Sequence, residues 1–151
     1  MAANTRLAGV SLRRLEGVHP HLVRVVHAAS LSCPVPFLVV EGVRTAERQR
    51  ELYAQGRTKP GKKVTWTMAS RHIPGPDGLG KAVDLCPLAA GGKADWNNVN
   101  GFMEIGKAMM NAAMGLQIPI RWGWDWDGDR RLREQGETDG PHFELLAAKY
   151  P

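Results

Sequence analysis

The sequence predicts an α+β fold in which a small antiparallel sheet packs beside several helices. Two observations lead to this prediction. Short runs rich in β-branched and aromatic residues alternate with longer segments whose apolar residues recur at helical spacing. In addition, the length of 151 residues, with 43% hydrophobic and 23% charged residues, is that of one globular domain. We therefore expect a single domain over residues 1–151, since no repeat or linker interrupts it.

Helical periodicity marks four segments of the chain. In SLRRLEGVHPHLVRVVHAASLS the apolar spacing is interrupted at Pro20, which predicts a short helix and then a longer one over about residues 20–30. The stretch TAERQRELYAQG predicts a helix that begins after an N-cap at Thr45 and ends at Gly56. Residues 101–116, GFMEIGKAMMNAAMGL, predict the fourth helix, whose methionines we expect to fill core space.

Four compact apolar runs predict the strands. They are PFLVVEGVRT, KAVDLCPL, IPIRWGW and HFELL. Proline lacks an N–H, so Pro141 suits the first residue of the last strand, with His142 at the strand entrance and Asp139 in the preceding turn. Glycine and proline mark residues 57–80 as a long loop, and residues 125–138 form a polar excursion.

The charge and the cysteines restrict the surroundings of the protein but name no partner. A net charge of +5 and a pI near 9.6 favour a polyanion, such as nucleic acid, anionic lipid or a cell-wall polymer. No run approaches the roughly 20 apolar residues of a membrane helix, and the N-terminus lacks the apolar core of a signal peptide. We therefore expect synthesis in a cytoplasm, with Cys33 and Cys86 reduced. Cys86 follows Asp84 by two positions, but a buried apolar role suits it better than metal binding.

Three polar residues of the predicted strands and turns form a potential metal site. They are His72 in SRH, Asp84 in AVD and His142 in PHF. Two imidazoles and one carboxylate are a usual protein share of a catalytic zinc site, whose fourth position is left for water. The three are scattered along the chain, and a lone histidine in a strand is more often a structural residue bonded to a carbonyl. Spacing alone therefore leaves the metal role open.

Four motifs in a fixed order make the prediction specific. GVRTAERQRELYAQG, SRH followed by GKAVDL, RWGWDW and DGPHFEL together resemble the zinc peptidoglycan peptidases of the D-alanyl-D-alanine carboxypeptidase and L-alanyl-D-glutamate endopeptidase family. The resemblance runs from about Leu12 to Leu146 and is closest to phage endolysins. It implies a hedgehog/DD-peptidase-like fold in which Zn²⁺ is held by His72, Asp84 and His142.

The resemblance also implies roles for residues that do not bind the metal. Asp139 matches the catalytic carboxylate, although locally it is also a turn former before Gly-Pro. Glu144 is an alternative base, or it orients a ligand from behind. Arg44 matches an arginine that holds a substrate carboxylate or the developing oxyanion, while its alternative is a surface position at a helix start. Ser70 either positions substrate or stabilises a turn.

Two departures from the family pattern carry expectations of their own. His72 and Asp84 are twelve positions apart, farther than is usual in the family. We expect the extra loop, IPGPDGLG, to lie beside the metal and to shape specificity more than stability. Trp124 replaces a glycine of the family, so the strand exit or the cleft wall must differ; with Trp122 and Trp126 it is expected to wall the sheet and cleft.

The carboxylates Asp125, Asp127 and Asp129 fit calcium poorly. Gly128 is misplaced for an EF-hand loop, and the terminal glutamate is missing at the required spacing.

The expected function is hydrolysis of the L-alanyl-D-glutamate bond of peptidoglycan by a monomeric, phage endolysin-type enzyme. Two alternatives stay open, a D-alanyl-D-alanine carboxypeptidase and a non-catalytic wall-binding module. A nucleic-acid-binding protein would account for the charge but for none of the motifs. Without an export signal or stable membrane insertion, the enzyme is expected in the host bacterial cytoplasm, reaching the wall in the periplasm after a separate holin or other permeabilisation.

Overall fold

The structure is a computed structural model that describes residues 5–63, 65 and 70–151. Its helices are α1 (Gly9–Arg14), α2 (Pro20–Ser32), α3 (Ala46–Ala54) and α4 (Val99–Leu116). Its strands are β1 (Phe37–Glu41), β2 (Ala82–Pro87), β3 (Ile120–Gly123) and β4 (Asp139–Leu145). Within the predicted loop of residues 57–80, positions 64 and 66–69 lie outside the described residues.

The four strands form one sheet in the order β1-β2-β4-β3, and every neighbouring pair is antiparallel. The predicted α+β fold with a small antiparallel sheet is therefore confirmed. The register places Asp84 of β2 opposite His142 of β4. Side chains at opposed positions of an antiparallel pair lie on the same face, so two candidate ligands from distant parts of the chain become neighbours.

The hydrophobic core lies between the sheet and the helices α2 and α4. Leu22, Val25 and Val26 contribute the buried stripe of α2, as the apolar spacing predicts. In α4 Met109 is fully buried, whereas Met114 is 67% exposed, so the expectation that the methionines fill the core is right for the first and wrong for the second. No helix in the described part of the chain combines the length and apolarity that a membrane span requires.

Caps define the ends of the helices. The hydroxyl of Thr45 accepts a hydrogen bond from the backbone N–H of Arg48 at 3.0 Å, which is the predicted N-cap of α3. Helix α3 ends at Ala54, and Gly56 two residues later has a φ of +78°, a conformation that glycine adopts without strain. The α4 helix begins two residues earlier than predicted, because the Asn98 side chain caps it by accepting from Gly101 N–H.

Strand β4 begins at Asp139, three residues before the predicted entrance at His142. Asp139 is therefore a strand residue paired with Gly123 of β3, and the prediction that it lies in a turn is wrong. Pro141 falls between the last β2 pair, at His142, and the Asp139 pair, where the β3–β4 register shifts. Because no β2 residue pairs with Pro141, its missing N–H removes no bond from that ladder.

Two of the three tryptophans after β3 support the core, and only the third reaches the cleft. The Trp122 indole N–H donates to the Gly140 carbonyl at 2.7 Å, and its ring stacks on Phe143. Trp124 is buried beside Trp122, so its expected effect falls on the core and not on the cleft wall. Trp126 alone among the three lines the cleft described below.

Both cysteines are buried and free, in agreement with the expectation of reduced thiols. Burial raises the pKa of the Cys86 thiol to about 11, so it stays protonated in the core. A thiol binds a metal as its thiolate, so Cys86 is unsuited to be a ligand.

Candidate metal centre and active-site cleft

The side chains of His72, Asp84 and His142 converge, with their potential ligand atoms all within 4.8 Å of one another. Asp84 lies between the two histidines: His72 Nε2 is 3.3 Å from Asp84 Oδ2, and His142 Nδ1 is 3.3 Å from Asp84 Oδ1. Both histidines are buried. His72 Nε2 is a buried nitrogen without a hydrogen-bond partner among the described residues, and an unsatisfied buried polar atom of this kind is unusual outside a functional site.

The remaining nitrogen of each imidazole is fixed by an acceptor behind it. His72 Nδ1 lies 2.7 Å from the carbonyl oxygen of Gly42, and His142 Nε2 lies 2.9 Å from Glu144 Oε1. A proton on each of these nitrogens leaves His72 Nε2 and His142 Nδ1 as the lone pairs that face the common point. Such backing of histidine by carbonyl or carboxylate is the usual arrangement around metal ligands.

Strong mutual electrostatics couple these residues. Burial alone would raise the pKa of Asp84, but hydrogen bonds from His142 and His72 outweigh it and hold that pKa far below its ordinary value. Burial alone would lower the pKa of His142, but its hydrogen bonds to Asp84 and Glu144 raise it to about 9. In the protein without metal, His142 therefore carries a proton that a metal ion must displace.

The three residues lie in a cleft of about 630 Å³. Its lining also contains the predicted Asp139, Arg44 and Ser70, so the structure brings all six sequence-predicted site residues into one cavity. The other residues that line it are Lys63, Thr65, Arg71, Arg121, Trp126, Gly136, Thr138 and Glu144.

Asp139 is open to solvent at the start of β4, yet its surroundings perturb it. Desolvation by the surrounding protein atoms raises the pKa of Asp139, the charge of His142 opposes this, and the negative charge of Asp84 adds to it. The net effect is a pKa above the ordinary value. A carboxylate with a raised pKa beside a potential metal site is suited to accept and return a proton.

Arg44 is a cleft residue and not a surface residue. Its guanidinium donates from Nε and Nη2 to both carboxylate oxygens of Glu41, at 2.8 and 2.5 Å, and from Nη1 to Gln49 at 2.8 Å. Nη2 also lies 3.8 Å from Asp84 Oδ2. Burial would lower the pKa of Arg44, but the Glu41 hydrogen bonds and charge raise it. The side chain is rigidly held, and three of its donor atoms are already committed to protein acceptors.

Ser70 acts on the chain that carries a candidate ligand. Its hydroxyl accepts a hydrogen bond from the backbone N–H of His72 at 3.2 Å, which is the turn-stabilising role that the sequence left open. The carbonyl of His72 in turn accepts from the backbone N–H of Arg44 at 2.9 Å. The backbone around His72 is thereby tied to the segment that enters α3.

Glu144 links the centre to one wall of the cleft, a role that sequence reasoning identified only as an alternative. It is buried, contacts His142, and lies 3.3 Å from Arg121 Nε and 3.8 Å from Arg71 Nε. Burial would raise the pKa of Glu144, but the His142 hydrogen bond and charge, and then the two arginines, lower it. This geometry supports orientation of His142 over a role as general base.

Sequence reasoning missed Arg71, Arg121 and Trp126 as parts of the cleft wall. Arg71 Nη2 donates to the backbone carbonyls of Leu145 and Tyr150. The Arg121 guanidinium lies 4.7 Å from the centroid of the Trp126 ring, which is itself 5.3 Å from the His142 ring. The available signal was the register: Arg121 is directly opposite Glu144 across β3 and β4, a pairing that sequence spacing does not reveal.

The loop of residues 73–80 does not line the cleft, so the expectation that it shapes the substrate site directly is wrong. Its position follows from Lys81, a buried lysine whose ammonium donates to Asp77 at 2.6 Å and to the Leu79 carbonyl at 2.8 Å. Gly80 completes the anchoring by bonding to Gly17 and His19 through the backbone. These contacts hold the loop against the segment between α1 and α2.

Two further groups of carboxylates converge in the polar excursion. Asp125, Asp127 and Asp129 form one group, and Asp127 forms another with Glu134 and Glu137. Neither contains a histidine, and none of these residues lines the cleft, so they are separate from the His72–Asp84–His142 centre.

Comparisons with known proteins agree with this site. Residues 3–146 match the family model described as phage L-alanyl-D-glutamate peptidase. The chain is 32% identical over 142 residues to the L-alanyl-D-glutamate peptidase of Escherichia phage T5, covering 90% of this chain and 94% of that protein. It is 27% identical over 121 residues to the peptidoglycan L-alanyl-D-glutamate endopeptidase CwlK of Bacillus subtilis strain 168, covering 79% of this chain and 66% of CwlK.

A solved structure extends the likeness to the fold. The crystal structure of the L-Ala D-Glu endopeptidase ChiX of Serratia marcescens superposes with a TM-score of 0.75 at 34% identity, covering 98% of this chain and 95% of ChiX. The family resemblance drawn from the four motifs is confirmed. The chain belongs to the phage L-alanyl-D-glutamate peptidase family.

Proposed function

We propose that this protein is a zinc-dependent endopeptidase that hydrolyses the L-alanyl-D-glutamate bond of peptidoglycan stem peptides, as a phage endolysin does in host lysis. The observation that carries the proposal is the convergence of His72, Asp84 and His142 in a cleft that Asp139 also lines. The names of the phage T5, Bacillus and Serratia relatives support the choice of bond.

The donor set fits zinc. Two imidazole nitrogens and one carboxylate oxygen are ligands that Zn²⁺ accepts in catalytic sites, and three protein ligands leave a fourth position open. The buried His72 Nε2 lacks a partner that a metal would supply, and both imidazoles have acceptors behind them. When bound in such a site, zinc acts as a Lewis acid that lowers the pKa of water to about 7 and polarises a carbonyl.

The protein's own groups then have defined tasks. The Asp139 carboxylate accepts a proton from the attacking water as the water oxygen bonds to the alanyl carbonyl carbon. As the carbon–nitrogen bond breaks, Asp139 returns that proton to the departing amino group of D-glutamate. Arg44, held by Glu41 and Gln49, presents positive charge to the cleft where negative charge develops on the carbonyl oxygen. Glu144 fixes the orientation of His142.

Digestion of purified sacculi tests the choice of bond. Mass spectrometry of the soluble products should show new C-terminal L-alanine and new N-terminal D-glutamate. Loss of terminal D-alanine alone would identify a carboxypeptidase instead. Retention on the wall without any cleavage would identify a wall-binding module.

The metal is tested separately. Elemental analysis of the purified protein should find about one zinc per chain, since the described residues offer one centre with two histidines. A chelator should abolish hydrolysis, and added Zn²⁺ should restore it. Full activity in metal-depleted protein would overturn the zinc assignment.

A further inference from the structure

Arg121 forms part of the cleft wall opposite in register to Glu144. Its Nε lies 3.3 Å from Glu144 Oε2, and one face of its guanidinium lies 4.7 Å from the Trp126 ring centroid. Both contacts restrain the side chain, since stacking fixes the plane of the fork and the ion pair fixes its inner edge. The Arg121 side chain nevertheless remains 45% exposed. Within the described part of the chain, its Nη atoms donate to no acceptor.

The proposed substrate requires recognition of an anion next to the scissile bond. A glutamyl residue has two carboxyl groups, and continuation of the peptide uses only one of them. The other remains as a free carboxylate, or as a carboxamide where it has been amidated. A restrained arginine with unused Nη donors matches a carboxylate in shape and charge, whereas it has no charge-assisted partner in a carboxamide.

The other cleft arginines are less available for this task. Arg44 has an 11% exposed side chain, and its Nε, Nη1 and Nη2 donate to Glu41 and Gln49. Arg71 has a 25% exposed side chain, and its Nη2 donates to two backbone carbonyls. Arg121 is therefore the cleft arginine that combines exposure with uncommitted terminal donors.

We propose that Arg121, braced by Trp126 and Glu144, binds the free carboxylate of the D-glutamyl residue and so sets the preference for that residue. This inference rests on the proposed endopeptidase function and assigns its substrate-binding residue. The geometry also joins recognition to the metal centre, because Glu144 contacts both Arg121 Nε and His142 Nε2.

A two-by-two comparison of enzyme and substrate tests this assignment. Wild type and Arg121→Gln are each assayed on a synthetic stem peptide with the free D-glutamyl carboxylate, and on the same peptide with that group as a carboxamide. On the carboxylate peptide, Arg121→Gln should raise KM about tenfold or more, the usual effect of losing a charge-assisted hydrogen bond. On the carboxamide peptide, wild type and variant should differ little.

Controls separate recognition from structural damage. Arg121→Lys keeps the charge without the planar fork and should recover part of the loss on the carboxylate peptide. Arg24→Gln makes the same change of charge at an exposed position outside the cleft lining, and its kinetics should equal those of wild type on both peptides. Zinc content and the melting temperature of Arg121→Gln should stay close to wild type.

Each result has a distinct meaning. An equal loss on both peptides, or a loss of zinc, would show that Arg121 acts only by supporting Glu144 and Trp126, and it would overturn the inference. An unchanged KM on the carboxylate peptide would overturn it as well. Failure of wild type to cleave either peptide at the alanyl–glutamyl bond would instead refute the proposed function itself.

Discussion

Asp139 and His142 lie three positions apart on β4, yet the proposed mechanism gives them different tasks. Asp139→Asn should keep the fold and about one zinc per chain, because Asp139 is assigned as the base and not as a ligand. Its hydrolysis rate should fall by about 10² to 10⁴, the usual contribution of general-base assistance, since an amide cannot accept the proton of water. Metal analysis and peptidoglycan hydrolysis measure the two effects independently.

His142→Ala is the matched contrast for Asp139→Asn. Removing one of three protein ligands should lower zinc affinity and activity together, and excess zinc should restore part of the activity. An Asp139→Asn protein with undiminished activity would move the base elsewhere, with Glu144 as the next candidate. Loss of zinc from Asp139→Asn would make Asp139 a ligand.

Proton competition should make zinc binding depend on pH. Without metal, the pKa of His142 is raised to about 9, so below that pH the imidazole is charged and each zinc ion must displace its proton. The sign follows directly: apparent affinity rises with pH, by up to about tenfold per pH unit between about pH 6 and pH 8. Calorimetric titration at one pH in two buffers of different ionisation enthalpy should reveal release of about one proton. Identical heats in both buffers would contradict a protonated His142.

At the scale of residues, the sequence predicted identities better than connections. His72, Asp84 and His142 could be selected because their types and the order of their motifs are specific. The acceptor behind His72 is the backbone carbonyl of Gly42, to which any residue type would contribute equally, so no sequence pattern marks it. The contact between Arg121 and Glu144 depends on the strand register, which one residue of slip would abolish.

At the scale of elements, close packing of α4 on β3 depends on one glycine. A Cβ atom added to Gly106 would overlap the indole ring of Trp122. Gly106→Ala should therefore destabilise the protein by about 1–3 kcal/mol through overpacking, although alanine favours helices. Gly115→Ala on the same helix is the control: its added methyl would meet no atom within 4 Å, and it should stabilise by about 0.5–1 kcal/mol. Denaturant unfolding measures both, and equal effects would contradict the packing argument.

The loop of residues 73–80 should affect stability more than specificity, the reverse of the expectation from its sequence. Its Asp77 carboxylate pairs with the buried ammonium of Lys81, and that bond lowers the pKa of Asp77. Asp77→Asn leaves a buried charge without its counter-ion, whereas Lys81→Met removes the charge itself. Asp77→Asn should therefore melt at a lower temperature than Lys81→Met. The opposite order in thermal unfolding would show that the pair does not anchor the loop.

The sequence predicted which elements exist but not all of their limits. Caps such as Thr45 act locally, so α3 was placed to within two residues at its end. The start of β4 depends on pairing between Asp139 and Gly123, a contact across 16 residues of polar chain that local propensity does not encode. The direction of the 73–80 loop was missed for the same reason, since Lys81 has the composition of a surface residue but lies buried.

At the scale of the whole molecule, charge and catalysis are carried by different parts of the surface. The net charge of +5 includes exposed cations outside the cleft lining, among them Arg24 and Lys107. Such charges attract a polyanionic polymer over a distance set by the Debye length and do not depend on the fit of one peptide. Retention on the wall and hydrolysis of a bond should therefore respond differently to salt.

Retention of the Asp139→Asn variant on purified sacculi should fall several-fold when salt rises from about 0.1 M to about 1 M, because the Debye length shrinks from about 10 Å to about 3 Å. A co-sedimentation assay measures the bound fraction without interference from hydrolysis. Adding Arg24→Gln and Lys107→Gln lowers the net charge from +5 to +3 and should reduce both the retention and its dependence on salt. In the active enzyme these two changes should leave cleavage of a short stem peptide unaltered, since neither residue lines the cleft. Retention that is independent of salt and of both substitutions would show that the cleft alone holds the protein on the wall.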